Sequence, residues 1–145
     1  MTARRLLRFA AILSFLYFLG HSAGMPWTPG TGAAADTVAR GMRAVRFDVF
    51  GTSRSYMDFY LGFGLTVSVL QLLGSVVLWL LAGLVVDAPE RVRPFVFAFL
   101  IANLFQLILV VRFFFLPPIA FCVVISVCLA LALRATFQRE APAGP

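Results

Sequence analysis

The polar positions of this chain fall in clusters, and between the clusters run four stretches long enough to cross a bilayer. After Arg8 no acidic or basic residue other than His21 appears until Asp36, so a first span is read from Leu6 to Ala23. A second runs from Phe59 to Val86, uncharged between Asp58 and Asp87. A third lies at 94–111, between Arg93 and Arg112, and a fourth at 118–133, closed by Arg134. A bilayer needs about 17–25 apolar residues in a helix, because the hydrocarbon core leaves backbone polar groups no partner except each other. The first and fourth spans are short and rely on Arg8 and Arg134 reaching back to the interface. The second rises about 42 Å and must tilt or project.

Residues 25–55 form the one long connection. Its first part, "MPWTPGTGAAA", is rich in turn formers. In "DTVARGMRAVRFDVFG", Val38, Met42, Val45 and Val49 recur at helical spacing, Arg40, Arg43 and Arg46 lie off that stripe, and Gly51 offers a stop. This predicts a short basic amphipathic helix, either lying on the outer membrane surface or closing over the bundle. The predicted fold is an all-α membrane protein: a single domain, 1–145, with four transmembrane helices bundled together and a short outer amphipathic helix between the first and second.

Composition agrees. The chain is 61% hydrophobic with a mean hydropathy of +0.96, well above the roughly 45–50% apolar content of soluble domains. All twelve basic residues are arginine and the net charge is +6. Arginines beside apolar blocks mark topology and anionic lipid, so nucleic acid is not an expected partner. The cluster Arg4, Arg5, Arg8 favours a cytoplasmic N-terminus, and an even number of spans returns the C-terminus to the same side of a bacterial inner membrane. The first span also resembles a secretory signal, but its "HSAG" end is a poor cleavage pattern, so it is expected to be retained.

Candidate chemistry is sparse. Cys122 and Cys128, six residues apart, point about 240° away from each other on a helix and cannot bridge. One histidine and no CxxC pair exclude a zinc centre of Cys and His. There is no phosphate loop, no Ser-His-Asp set and no pair of membrane carboxylates. No catalytic residue, metal or cofactor is assigned.

Polar residues do recur along one face of each span. Ser14, Tyr17, His21 and Gly24 do so in the first, and Ser68, Gln71, Ser75 and Ala82 in the second. Asn103 and Gln106 lie mid-span in the third, with Cys122 and Ser126 in the fourth. Such groups are costly against lipid and are expected to face inward, either hydrogen-bonding between helices or lining a pocket. At the start of the second span, "GTSRSYMDFYLGFGL" carries Ser55-x-x-Asp58, a capping box. Tyr56 and Tyr60 suit an interface, and Gly62 and Gly64 suit a close helix approach. His21, Asp58, Tyr60 and Arg112 share one depth and form a candidate outer mouth. Tyr17, Gln71, Asn103 and Gln106 are candidates for the interior of a ligand site. A pair between His21 and Asp58 would raise the histidine's pKa and suit proton transfer.

With Gly20-His21, "YMDFYLGFGL" and "FFFLPP" in place, the chain resembles a group of short four-span bacterial membrane proteins, and in span count it is similar to DoxX-like proteins. The resemblance implies the architecture and carries no activity. The function expected is non-enzymatic, a small inner-membrane protein that binds a lipid-like or small apolar ligand or serves as an accessory subunit. Membrane lipid, and a small apolar ligand or a membrane protein, are its partners. The alternative is a membrane enzyme or proton-coupled carrier working through His21, Asp58 and Arg112.

Overall fold

The computed structural model describes residues 2–24 and 30–138. The "MPWTP" part of the long connection and the tail from Arg139 onward lie outside the described residues. The helices are α1 (Ala3–Gly24), α2 (Ala33–Ala44), α3 (Tyr56–Leu84), α4 (Pro89–Phe113) and α5 (Leu116–Gln138), and a hairpin of β1 (Arg46–Val49) and β2 (Thr52–Ser55) connects α2 to α3. Among the described residues α1, α3, α4 and α5 are long and apolar enough to cross a membrane. The chain is an all-α, multi-pass membrane protein with a short helix between its first two spans.

Each spanning helix is longer than the span read from the sequence. Thr2 caps α1, its Oγ1 accepting the Arg5 amide. Helix α4 starts five residues before Pro94, with Pro89 in the first turn, where its missing N–H costs nothing. Arg93 therefore sits inside α4, and the short connections on either side are tighter than the charge pattern suggests. At the far end α5 continues to Gln138. There the Arg93 Nη2 donates to the Thr136 carbonyl at 2.7 Å, satisfying one of the orphan acceptors of the last turn, and its guanidinium stacks 4.3 Å above the Phe137 ring.

The contacts divide the chain into two compact units. One comprises residues 1–17 and 72–145 and holds the hydrophobic core. Leu6, Leu7, Ala10 and Ala11 of α1 meet Leu78, Leu81, Ala82 and Val85 of α3, Val92 and Val96 of α4, and Ile125, Cys128, Leu129 and Ala132 of α5. The spacing is close to a 3.5-residue repeat, which keeps one seam of each helix facing its neighbours. Helices α4 and α5 make the most extensive pair. Small residues on α5 (Cys122, Ser126, Ala132) permit the approach. Most of the remaining span surface is apolar and exposed, as lipid requires.

The other unit, residues 18–71, is built differently. The stripe Val38–Met42–Val45–Val49 does not form one helical face. Helix α2 ends at Ala44, its buried residue is Ala39, and Val38 and Val45 are exposed. The residues after it alternate, and "RFDV" pairs antiparallel with "TSRS" in the register Arg46↔Ser55 to Val49↔Thr52. Gly51 stops no helix. It forms the hairpin turn with Phe50, both at positive φ (78° and 48°), as a two-residue primed turn demands. The helical period carried on past Ala44 by coincidence, and the alternation of Phe47 and Val49 with polar neighbours was the better guide.

Candidate functional site

In the smaller unit the hairpin and the start of α3 are tied together by rings and by the cap. Tyr56, Phe59 and Phe63 recur along α3, and Phe47 from β1 lies against the first two, at centroid distances of 4.9 Å and 5.5 Å. Phe59 in turn meets Phe63 at 5.9 Å. The capping box forms as its spacing predicts. The Asp58 amide donates to Ser55 Oγ at 3.1 Å, and the Ser55 amide donates to Asp58 Oδ2 at 2.7 Å. Asp58 is exposed and lies in the field of Arg46 and Arg54. Arg46 also bonds Ser53 across the hairpin, through its side chain and its carbonyl.

Further along α3, the His21 Nε2 lies 3.1 Å from the Gly64 carbonyl oxygen, so that nitrogen carries the proton. Ser22 donates to Ser68 Oγ at 3.0 Å, and Ser68 donates back to the Gly64 carbonyl. Gly64 lies six residues beyond Asp58, about 9 Å of helix rise, so His21 engages α3 nearly two turns away from the cap. Tyr60 and Gln71 are half-buried on α3. Gly62 does not mark a close approach, because a Cβ there would meet nothing within 4 Å.

In the larger unit, Asn103 donates through Nδ2 to the Cys122 carbonyl and to Ser126 Oγ, both at 2.8 Å. Tyr17 stacks on Phe121 at 5.4 Å with its ring 5° from parallel. Ser75 donates to the Ala11 carbonyl. Asn103 thus ties α4 to α5, and Ser75 ties α3 to α1. A carbonyl such as that of Cys122 has a second lone pair, so an interhelical donor can use it without breaking the helix. Arg112 is exposed, with its guanidinium 5.9 Å from the ring of Phe113 beside it.

Of the eight candidates, Asn103 bonds α5, Tyr17 stacks on Phe121, Gln106 is half-buried on α4 and Arg112 is exposed. His21 and Asp58 are each held by backbone or cap groups of their own unit, which also contains half-buried Tyr60 and Gln71. No group of three metal-ligating side chains occurs among the described residues.

Sequence reasoning missed three features. Ser22 lies off the polar stripe of α1 and gave no sign. The ring ladder on Phe47 was readable only once the hairpin was known. The third is a cleft of about 270 Å³ between α1 and α3 of the larger unit, lined by Ala11, Ile12, Phe15, Ser75, Val76, Trp79 and Leu80. Its one polar side chain, Ser75, already donates to Ala11. No family model, curated protein or solved structure matches this chain.

Proposed function

We propose that this is a non-enzymatic protein of a bacterial inner membrane, with both termini cytoplasmic, that binds a lipid-like or small apolar ligand. The observation that carries the reading is the apolar cleft between α1 and α3. A cleft walled by Ile, Phe, Val, Trp and Leu, and offering no free polar side chain, selects a ligand by shape and apolar surface. The polar groups of the spans support the same reading. Asn103, Ser75 and His21 are each engaged by a neighbouring helix, and Asp58 serves a helix start. Groups used in this way hold helices together, whereas the enzyme or carrier alternative needs His21, Asp58 and Arg112 available for proton transfer. The resemblance to short four-span bacterial proteins and the Arg4, Arg5, Arg8 cluster support the location and orientation.

A second reading, an accessory subunit of a membrane complex, draws on α4. In the most apolar stretch of α4 only 11% is buried, against 39% in α5. Its exposed face carries Phe95, Phe97, Phe105, Ile108, Leu109 and Phe113, a surface that suits a partner helix as well as lipid.

Native mass spectrometry of the full chain extracted in lipid particles tests the first reading. An apolar ligand should co-purify at about one per chain. A Val76→Phe variant, which places a ring in the cleft, should lose it. Co-purification of a second protein in fixed ratio, with no small ligand, would favour the accessory role. Reporter fusions at residue 30 and at the C-terminus should report opposite sides of the membrane.

A further inference from the structure

We infer that Arg8, stacked on Trp79, is the headgroup end of a site for one anionic phospholipid whose acyl chain lies in the α1–α3 cleft. The inference rests on the apolar-ligand reading above and adds the charge and position of the headgroup.

Arg8 lies one helical turn from Ile12, on the same side of α1, and its guanidinium carbon stands 5.1 Å from the centre of the Trp79 ring. Ile12 and Trp79 are both walls of the cleft. The cation therefore sits beside the Trp79 end of an open apolar cleft that runs on past Val76 and Phe15. The Nε is buried and has no acceptor among the described residues, and the ion pair formed among them, Arg91 with Glu90, lies elsewhere. A guanidinium N–H buried without an acceptor is costly unless an anion or another acceptor reaches it. The Trp79 ring supplies only part of that through its π face. Stacking a guanidinium on a ring leaves its in-plane N–H donors free, and that planar fork matches the oxygens of a phosphate.

The occupant follows from both ends of the site. An anion alone gains nothing from the cleft, and a neutral hydrocarbon gains nothing from Arg8. A lipid with a net negative headgroup satisfies both, whereas a zwitterionic headgroup brings its own cation toward the guanidinium.

The test uses the full chain in neutral detergent, offered phosphatidylglycerol or phosphatidylcholine of matched acyl composition, with bound lipid counted by native mass spectrometry. The wild type should retain phosphatidylglycerol with a preference of about tenfold, equivalent to one decade in dissociation constant. Arg8→Gln should reduce the preference to about twofold or less, whereas Arg5→Gln, which removes the same charge from the same segment, should leave it intact. Trp79→Leu removes the stack but keeps the charge. It should lower the preference about threefold, and it keeps the test readable if Arg8→Gln does not fold. A preference unchanged in both Arg8→Gln and Trp79→Leu would overturn the assignment, as would an equal loss in Arg5→Gln. If Val76→Phe lowers retention of both lipids while Arg8→Gln changes nothing, the apolar-ligand reading stands and the headgroup site falls. If the wild type retains neither lipid, both fall.

Discussion

The two units of this chain are assembled by different means. In the larger one, four helices share a contiguous core in which Leu7, Leu78, Val96 and Leu129 are almost fully withdrawn from the surface. In the smaller one, Ala39 and Met57 are the only buried apolar residues among those described. Its order comes instead from the Phe47 ring contacts, the Ser55–Asp58 cap and the hydrogen bonds from α1 to Gly64 and Ser68. A seam of interdigitated side chains loses many contacts when one side chain is shortened. A set of caps and rings loses one local contact at a time. The difference predicts where damage spreads and where it stays local.

The sharpest way to break that contrast is to open a cavity in each unit. Leu129→Ala should destabilise the protein by about 2–5 kcal/mol, read as a lower melting temperature in detergent. Met57→Ala should cost less than about 2 kcal/mol, because few buried neighbours surround it to lose contact. Equal losses would mean that the smaller unit has a core of its own kind.

Next in size is the polar network of the larger unit. Asn103→Leu removes two interhelical bonds to α5. At about 0.6 kcal/mol for each bond in a membrane, the loss should be about 1 kcal/mol. A loss of several kcal/mol would show that the network, and not the apolar seam, holds α4 to α5.

The cap comes third. Ser55→Ala removes the acceptor for the Asp58 amide and should cost about 1 kcal/mol. The effect should centre on faster amide exchange in the first turn of α3, with a smaller drop in melting temperature than Leu129→Ala gives. Asp58→Asn keeps a side-chain oxygen for the Ser55 amide and should cost less. If Asp58→Asn proves as damaging as Ser55→Ala, the negative charge itself is needed and the charged reading of this site regains support.

The smallest effect has the opposite sign. Phe50 is fully exposed and sits at φ 48°, a region that residues with a Cβ enter at a cost. Asn tolerates it and favours this turn. Phe50→Asn should stabilise the hairpin by about 0.5 kcal/mol, seen as slower exchange at the Arg46–Ser55 pairing. No gain, or a loss, would mean that the ring at the tip makes a contact worth its strain.

The spans, the inward polar faces and the capping box were legible in the sequence because each depends on local spacing. Ser55 and Asp58 are three residues apart, and a helix start brings any such pair together. The hairpin was not legible because the period of Val38, Met42 and Val45 continued by chance to Val49, while Ala39 proved to be the buried residue of α2. At the candidate site, the inward position of Asn103 could be read from cost alone, since an amide against lipid is unfavourable. Its partners on α5 could not. The engagement of His21 with Gly64 was equally hidden, because it joins residues 43 apart.

By itself the sequence determined that this is a four-span membrane protein and which face of each span is polar. Helix length, hydropathy and the helical spacing of polar residues are properties of consecutive residues, and the bilayer allows few alternatives to a helix. Only the tertiary structure decided which polar residue meets which, that the chain after Ala44 turns back as a hairpin, and that Arg8 lies on Trp79 at the end of an apolar cleft. Those outcomes depend on which helices become neighbours and in what register. For the helices that is chosen by the fit of side chains about 20 to 70 positions apart, which no local period records.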